Sequence, residues 1–250
     1  MDLMEIYVKS SLDGTEQPSL FYKAEGESRP LLVGLHTWIF DRRNQIDNLL
    51  PVAEKYGFDL LLPEFRGPNL KNNPICRKAC GSEFAIADVV DAIEYVTRVY
   101  GSDKNKVLLI GLSGGGHMAL MMAGTHPELF LATAAFVPIC SLSDWVKENP
   151  NYAPHVLACC GDSEEEMQKR SPVSYLSGLA RSNTKIFHGK YDSCVPVTQT
   201  LKLYASLMQD YPKSRVFLDV FDGGHELDID AAMYWLISQY EKKSKVAVTG

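Results

Sequence analysis

The stretch KVLLIGLSGGGHMALMMAG (106–124) runs from an uncharged apolar segment straight into a small-residue segment of helical character. At the junction stands Gly111-Leu112-Ser113-Gly114-Gly115, a G-x-S-x-G pattern. A strand that turns abruptly into a helix forces the residue at the bend into a strained backbone conformation and leaves room only for glycine two positions to either side. Ser113 is therefore expected to stand at the edge of a sheet. The helix after it aims its N-terminal N–H groups and positive dipole end at charge developing near the hydroxyl.

Working outward, EIYVKS and PSLFYKA read as two short strands joined across Asp13-Gly14. LLVGLH (31–36), FDLLLPEF (58–65), KVLLIGLS (106–113), LATAAFVPI (131–139), TKIFHG (184–189) and SRVFLDVF (214–221) are continuous apolar runs of the kind buried on both faces, and they predict central parallel strands. Between them, residues 83–100 carry Phe84, Val89, Val90, Ile93, Val96 and Val99 at helical spacing, and similar patterns cover 114–125, 197–209 and 226–241. Strand and helix in alternation imply right-handed crossovers, hence an α/β domain over 1–250 with a twisted, mostly parallel sheet of about eight strands covered on both faces. Residues 141–175 break the rhythm. That segment is too long for an ordinary connection and follows a strand's C-terminal end, where α/β folds bind ligands, so it is expected to form a small cap.

The 250 residues carry 31 acidic and 25 basic side chains, a formal charge of −6, with no basic block to follow phosphates; nucleic acid is not an expected partner. No apolar stretch reaches the length of about 18 residues that a membrane span needs, and MDLMEIYVKSSLDG lacks the apolar core of a signal peptide. The expected compartment is the cytoplasm, with export the alternative if a leader has been removed. Cysteines at 76, 80, 140, 159, 160 and 194 match neither a small disulfide framework nor paired zinc-ligand spacing. Most of them read as packing residues or idle thiols, with a local Cys76–Cys80 disulfide in a surface loop the alternative in an exported protein.

A serine hydroxyl needs a base within hydrogen-bond reach and a third group to orient that base. Of six histidines, His117 and His126 belong to the helix after Ser113, His36 and His188 to strand ends, and His155 to the expected cap. His225, in the glycine-bearing loop Phe221-Asp222-Gly223-Gly224-His225, is free to swing over the serine. Asp192, after the penultimate strand, gives the chain order Ser113, Asp192, His225, the order of acid and base in α/β-hydrolases. Asp222 is its competitor but lies on the same loop as His225. A tetrahedral oxyanion needs two fixed donors. The N–H of Gly114 supplies one, and the loop after the first central strand supplies the other, from Trp38 or else Thr37. Trp38 and Trp145 are the expected substrate-contacting side chains. No metal or cofactor is required.

GLSGGGH, HGKYDSCVP and DGGHE, in this order, resemble the prolyl-oligopeptidase-like branch of α/β-hydrolases, including its stand-alone esterases and dienelactone-hydrolase-like relatives. RSPVSYL (170–176), PEFRG (63–67) and DVVDAIEYV (88–96) look like the same branch, and the resemblance spans roughly 28–242. It implies the eight-stranded fold, a cofactor-free mechanism and the same three residues. The chain departs from the branch in reading His36-Thr37-Trp38 where a glycine pair is common, in having no room for the β-propeller of true oligopeptidases, and in carrying serine where a dienelactone hydrolase carries cysteine. The expected activity is serine-dependent hydrolysis of a small carboxylic ester, including acetyl or feruloyl esters of sugars. A small aminopeptidase or acylaminopeptidase, which needs an acidic grip on its substrate, is the second reading; Glu164, Glu165 and Glu166 are the candidate source but read first as a solvated helix face. A non-catalytic binding protein on the hydrolase fold is the third.

Overall fold

All eight apolar runs form strands in the computed structural model, which describes residues 3–248 and their side chains as far as 242. β1 (Met4–Lys9) and β2 (Glu16–Tyr22) make an antiparallel hairpin, and Gly14 supplies the left-handed φ of 71° that its turn requires. The remaining strands are β3 (Leu31–Leu35), β4 (Asp59–Pro63), β5 (Val107–Leu112), β6 (Ala132–Phe136), β7 (Asn183–Gly189) and β8 (Arg215–Phe221). They lie in the order β1-β2-β4-β3-β5-β6-β7-β8, antiparallel from β1 to β4 and parallel from there on. The described residues thus form the eight-stranded, mostly parallel α/β architecture expected.

Nine helices flank the sheet among the described residues: α1 (Ile46–Tyr56), α2 (Glu83–Tyr100), α3 (Gly114–Thr125), α4 (Leu142–Glu148), α5 (Ala153–Cys160), α6 (Glu164–Lys169), α7 (Leu176–Arg181), α8 (Thr198–Asp210) and α9 (Ile229–Val248). The alternation of side chains along each strand divides the core in two. On one face Leu31, Val33, Leu35, Val107 and Leu109 pack against α2, α3, α7 and α8. On the other, Leu32, Leu60, Leu62, Leu108 and Ile110 meet α1 and α9. Each fully buried aliphatic side chain contributes about 2 kcal/mol of transfer free energy. Arg66, buried, ties the parts together by bonding Asp13 in the β1–β2 turn at 2.9 Å and Asp88 on α2 at 2.5 Å.

One expectation needs correction. β8 is an edge strand and not a central one, with Phe217 and Val220 both 43% exposed, because an apolar run does not reveal whether a neighbour lies on each side. Helix α1 is absent from the sequence pattern, its polar residues and the internal Pro51 masking the face that buries Leu49 and Ala53. Cys76 and Cys80 are not bonded to each other; the six cysteines are free. Residues 141–175 form α4, α5, α6 and a 3-10 turn (Pro172–Tyr175), packed inward through Leu142, Trp145, Val156 and Met167. Among the described residues no helix is long and apolar enough to cross a membrane.

Candidate active site

The turn from β5 into α3 puts Ser113 at φ 58° and ψ −116°, a conformation that L-residues avoid and that is held by the Ser113 N–H donating to Phe136 O at 2.9 Å. The sharpness of the bend explains Gly111: a Cβ there would lie 2.1 Å from Gly115 O. At Gly114 a Cβ would lie 2.5 Å from the backbone N of Trp38. The loop after β3 therefore passes directly over the start of α3, with the backbone of Trp38 against Gly114. Thr37, the alternative donor, is committed elsewhere, since its N–H donates to Asn44 Oδ1 at 3.1 Å. Among the described residues no acceptor takes the Trp38 N–H.

Asp192 and His225 come together from the loops that follow β7 and β8. Those loops are stitched by the N–H groups of Lys190 and Tyr191 donating to Phe221 O and Gly223 O, each at 2.9 Å. His225 Nδ1 lies 2.7 Å from Asp192 Oδ2. The other carboxylate oxygen accepts from the N–H groups of Cys194 and Val195, both at 2.8 Å. Burial works against the Asp192 carboxylate, but the hydrogen bonds from His225 and Val195 outweigh it and keep its pKa below the ordinary aspartate value. Its side chain is fully buried while that of His225 remains 26% exposed, the combination an orienting acid and a proton-carrying base require. Asp222 makes no such contact. Among the described residues no hydrogen bond between Ser113 and His225 accompanies the Asp192–His225 contact.

His188 has a part that its strand-end position did not disclose. Buried beneath the acid's loop, it donates from Nε2 to Val195 O at 2.9 Å and accepts the Thr200 hydroxyl at Nδ1 at 2.5 Å, with Asp192 Oδ2 3.6 Å away. Burial lowers its pKa against the pull of Val195 O and the Asp192 charge, favouring a neutral ring that braces the turn. His117 is likewise structural, bonding Arg170 O at 2.7 Å. The tryptophans depart from expectation. Trp38 and Trp145 are 2% and 1% exposed and meet edge to face with centroids 4.8 Å apart, so they pack into the interior and do not front open space. Ile39 and Phe40, next along that loop, are 42% and 51% exposed, and Tyr191 beside the acid is 63% exposed.

Glu164, Glu165 and Glu166 begin α6, and two of them are paired along the helix, Glu165 with Lys169 at 2.8 Å and Glu166 with Arg170 at 2.5 Å. Among the described residues no group of three or more His, Cys, Asp or Glu side chains is arranged to hold a metal ion.

A doubly covered parallel sheet, a strained serine at the strand–helix turn and an Asp–His pair from the last two strand ends define a chain of the α/β-hydrolase fold. Residues 76–243 match the model of the prolyl oligopeptidase family, and the chain belongs to that family of serine hydrolases. It is 26% identical over 203 residues to the acylamino-acid-releasing enzyme of Rattus norvegicus, a match covering 73% of this chain and 27% of that protein. It is 34% identical over 88 residues to feruloyl esterase B of Neurospora crassa, covering 34% of this chain and 30% of the esterase. Among solved structures, the uncomplexed acylaminoacyl peptidase of Pyrococcus horikoshii superposes with a TM-score of 0.72 at 21% identity, over 98% of this chain and 41% of that one. The chain thus spans well under half the length of these relatives, and the structural likeness concerns the fold.

Proposed function

We propose that the protein hydrolyses small carboxylic esters through an acyl-enzyme on Ser113. The observation that carries this reading is the convergence, at one sheet edge, of the strained Ser113, the close approach of the Trp38 backbone to Gly114, and the Asp192–His225 pair at 2.7 Å. Substrate binding draws the exposed His225 imidazole onto Ser113 Oγ. Nε2 takes the hydroxyl proton as Oγ attacks the carbonyl carbon, Asp192 holds the proton-bearing Nδ1 and stabilises the imidazolium, and the two N–H groups receive the oxyanion. The imidazolium then protonates the leaving alkoxide, and water repeats the cycle on the acyl-enzyme. Residues 141–175 act as a cap, anchored to the acid's loop where Trp145 Nε1 and Asn149 Nδ2 donate to Cys194 O at 3.0 and 2.9 Å. Ile39, Phe40 and Tyr191 offer apolar surface to the acyl group.

The relatives act, by their names, on both feruloyl esters and acylated amino acids. Against a peptidase stands the pairing of Glu165 and Glu166 within α6, which leaves those two acids uncommitted to a substrate's amino terminus. For it stands the length of the match to the acylamino-acid-releasing enzyme. Kinetics on a p-nitrophenyl ester series from acetate upward, methyl ferulate and N-acetyl-alanine p-nitroanilide separate the two. Ester turnover with little anilide cleavage is expected. Anilide cleavage in preference to every ester, or no turnover at all, would overturn the assignment.

A further inference from the structure

Trp145 and Asn149 stand one helical turn apart, on α4 and at its C-terminal cap, a spacing that puts both on one face. Both reach the acid's loop, where Trp145 Nε1 and Asn149 Nδ2 donate to Cys194 O at 3.0 and 2.9 Å. That carbonyl belongs to the peptide unit whose other end is the N–H of Val195. The Val195 N–H in turn donates to Asp192 Oδ1 at 2.8 Å. A peptide unit is planar, so gripping its oxygen fixes the direction in which its N–H points. Two donors on the carbonyl also polarise the amide, which strengthens the N–H at its far end as a donor. Around this unit the Cys194 N–H holds the same carboxylate oxygen at 2.8 Å, and Val195 O accepts from His188 Nε2 at 2.9 Å. The second carboxylate oxygen, Oδ2, lies 2.7 Å from His225 Nδ1 and 3.6 Å from His188 Nε2. Trp145 is buried in the interior, whereas Asn149 is half-buried, so its amide is not part of the packed core.

We propose that Asn149, together with Trp145, is a positioning residue that sets the Asp192 carboxylate through the Cys194–Val195 peptide unit, an inference resting on the reading of Ser113, His225 and Asp192 given above. Asn149 acts at two removes from the imidazole, through the peptide unit and then the carboxylate. With its donor deleted, Trp145 alone holds Cys194 O, and the Val195 N–H turns away from Oδ1 more easily. Oδ2 then presents a less fixed acceptor to His225 Nδ1. The loss falls on the proton transfer that His225 carries out and not on the binding of the ester. Through this unit the seating of α4 and the orientation of the base are linked, so residues 141–175 help to build the site that they cover.

The test compares wild type with Asn149→Leu, which is close to the amide in size and donates nothing. Steady-state kinetics on p-nitrophenyl acetate are paired with long-range proton–nitrogen NMR of the His225 ring, its signals identified by their loss in His225→Gln. The net worth of one hydrogen bond corresponds to about two- to tenfold in rate. In Asn149→Leu kcat should fall by about that factor with KM unchanged, and the His225 Nδ1 resonance should leave its wild-type position. Trp145→Phe, which deletes the other donor and keeps an aromatic ring, should move the same resonance and decides the matter if Asn149→Leu fails to fold. A folded variant with the Nδ1 resonance where wild type has it, or with KM raised and kcat unchanged, would overturn the inference. The resonance is read without substrate, so it gives its answer even if wild type turns over no ester, a result that would count against the hydrolase reading alone.

Discussion

Gly114→Ala isolates the oxyanion donors from the rest of the site. The added methyl would lie 2.5 Å from Trp38 N and 2.6 Å from its Cα, where ordinary contact begins at 3.4 Å, so the loop must retreat by about 0.9 Å (3.4 − 2.5). An oxyanion donor works only within about 2.7–3.1 Å of the developing charge, and losing one typically costs 10²–10³ in kcat, or about 2.7–4 kcal/mol. Gly114 does not hold a left-handed φ, so alanine there meets no backbone penalty and gains about 1 kcal/mol of helix propensity, which offsets part of the loop displacement. Steady-state kinetics on p-nitrophenyl acetate, with a thermal melt of the same sample, should show kcat down about 100-fold or more, KM little altered and a cooperative melt. A folded variant with kcat within threefold of wild type would refute the pairing of Gly114 and Trp38 as donors.

Asp192→Asn should lower kcat about 10⁴-fold by presenting the wrong hydrogen-bond partner to Nδ1, with Asp222→Asn close to wild type in the same assay; the reverse ranking would transfer the acid's role to Asp222. Burial brings the His117 pKa down from 6.5 to about 4. Below pH 6.5 the unfolded chain binds a proton that the folded chain refuses, so this part of the stability is intact above pH 6.5 and falls away towards pH 4, by about 3 kcal/mol in all. His117→Gln, which keeps an N–H for Arg170 O, should flatten the decline of urea-unfolding free energy between pH 7.5 and 4.5. Identical slopes for the two proteins would count against a neutral buried His117.

What the sequence discloses is what one local pattern can encode. The G-x-S-x-G turn is legible because its strain, its glycines and its flanking strand and helix all fall within twenty residues. Asp192 and His225 are legible as candidates after the last two strands, although their 2.7 Å contact depends on the stitching of Lys190 and Tyr191 to the β8 loop. Other features arise only in three dimensions. The commitment of the Thr37 N–H turns on Asn44 accepting it, and the burial of both indoles goes with their edge-to-face contact. The bracing by His188 involves partners at 195 and 200, and the buried cluster around Trp38 and Trp145 joins residues 76–80 to 159–160. Helix α1 escapes because Pro51 and its polar residues hide a face defined by two buried side chains.

The most direct test of Ser113 as nucleophile pairs the hydrolysis of p-nitrophenyl acetate by wild type and Ser113→Ala with a fluorophosphonate label located by peptide mapping. Ester turnover that Ser113→Ala abolishes, together with one covalent adduct on Ser113, is the predicted result. An undiminished rate in the folded Ser113→Ala protein, or an adduct on another residue, would contradict it.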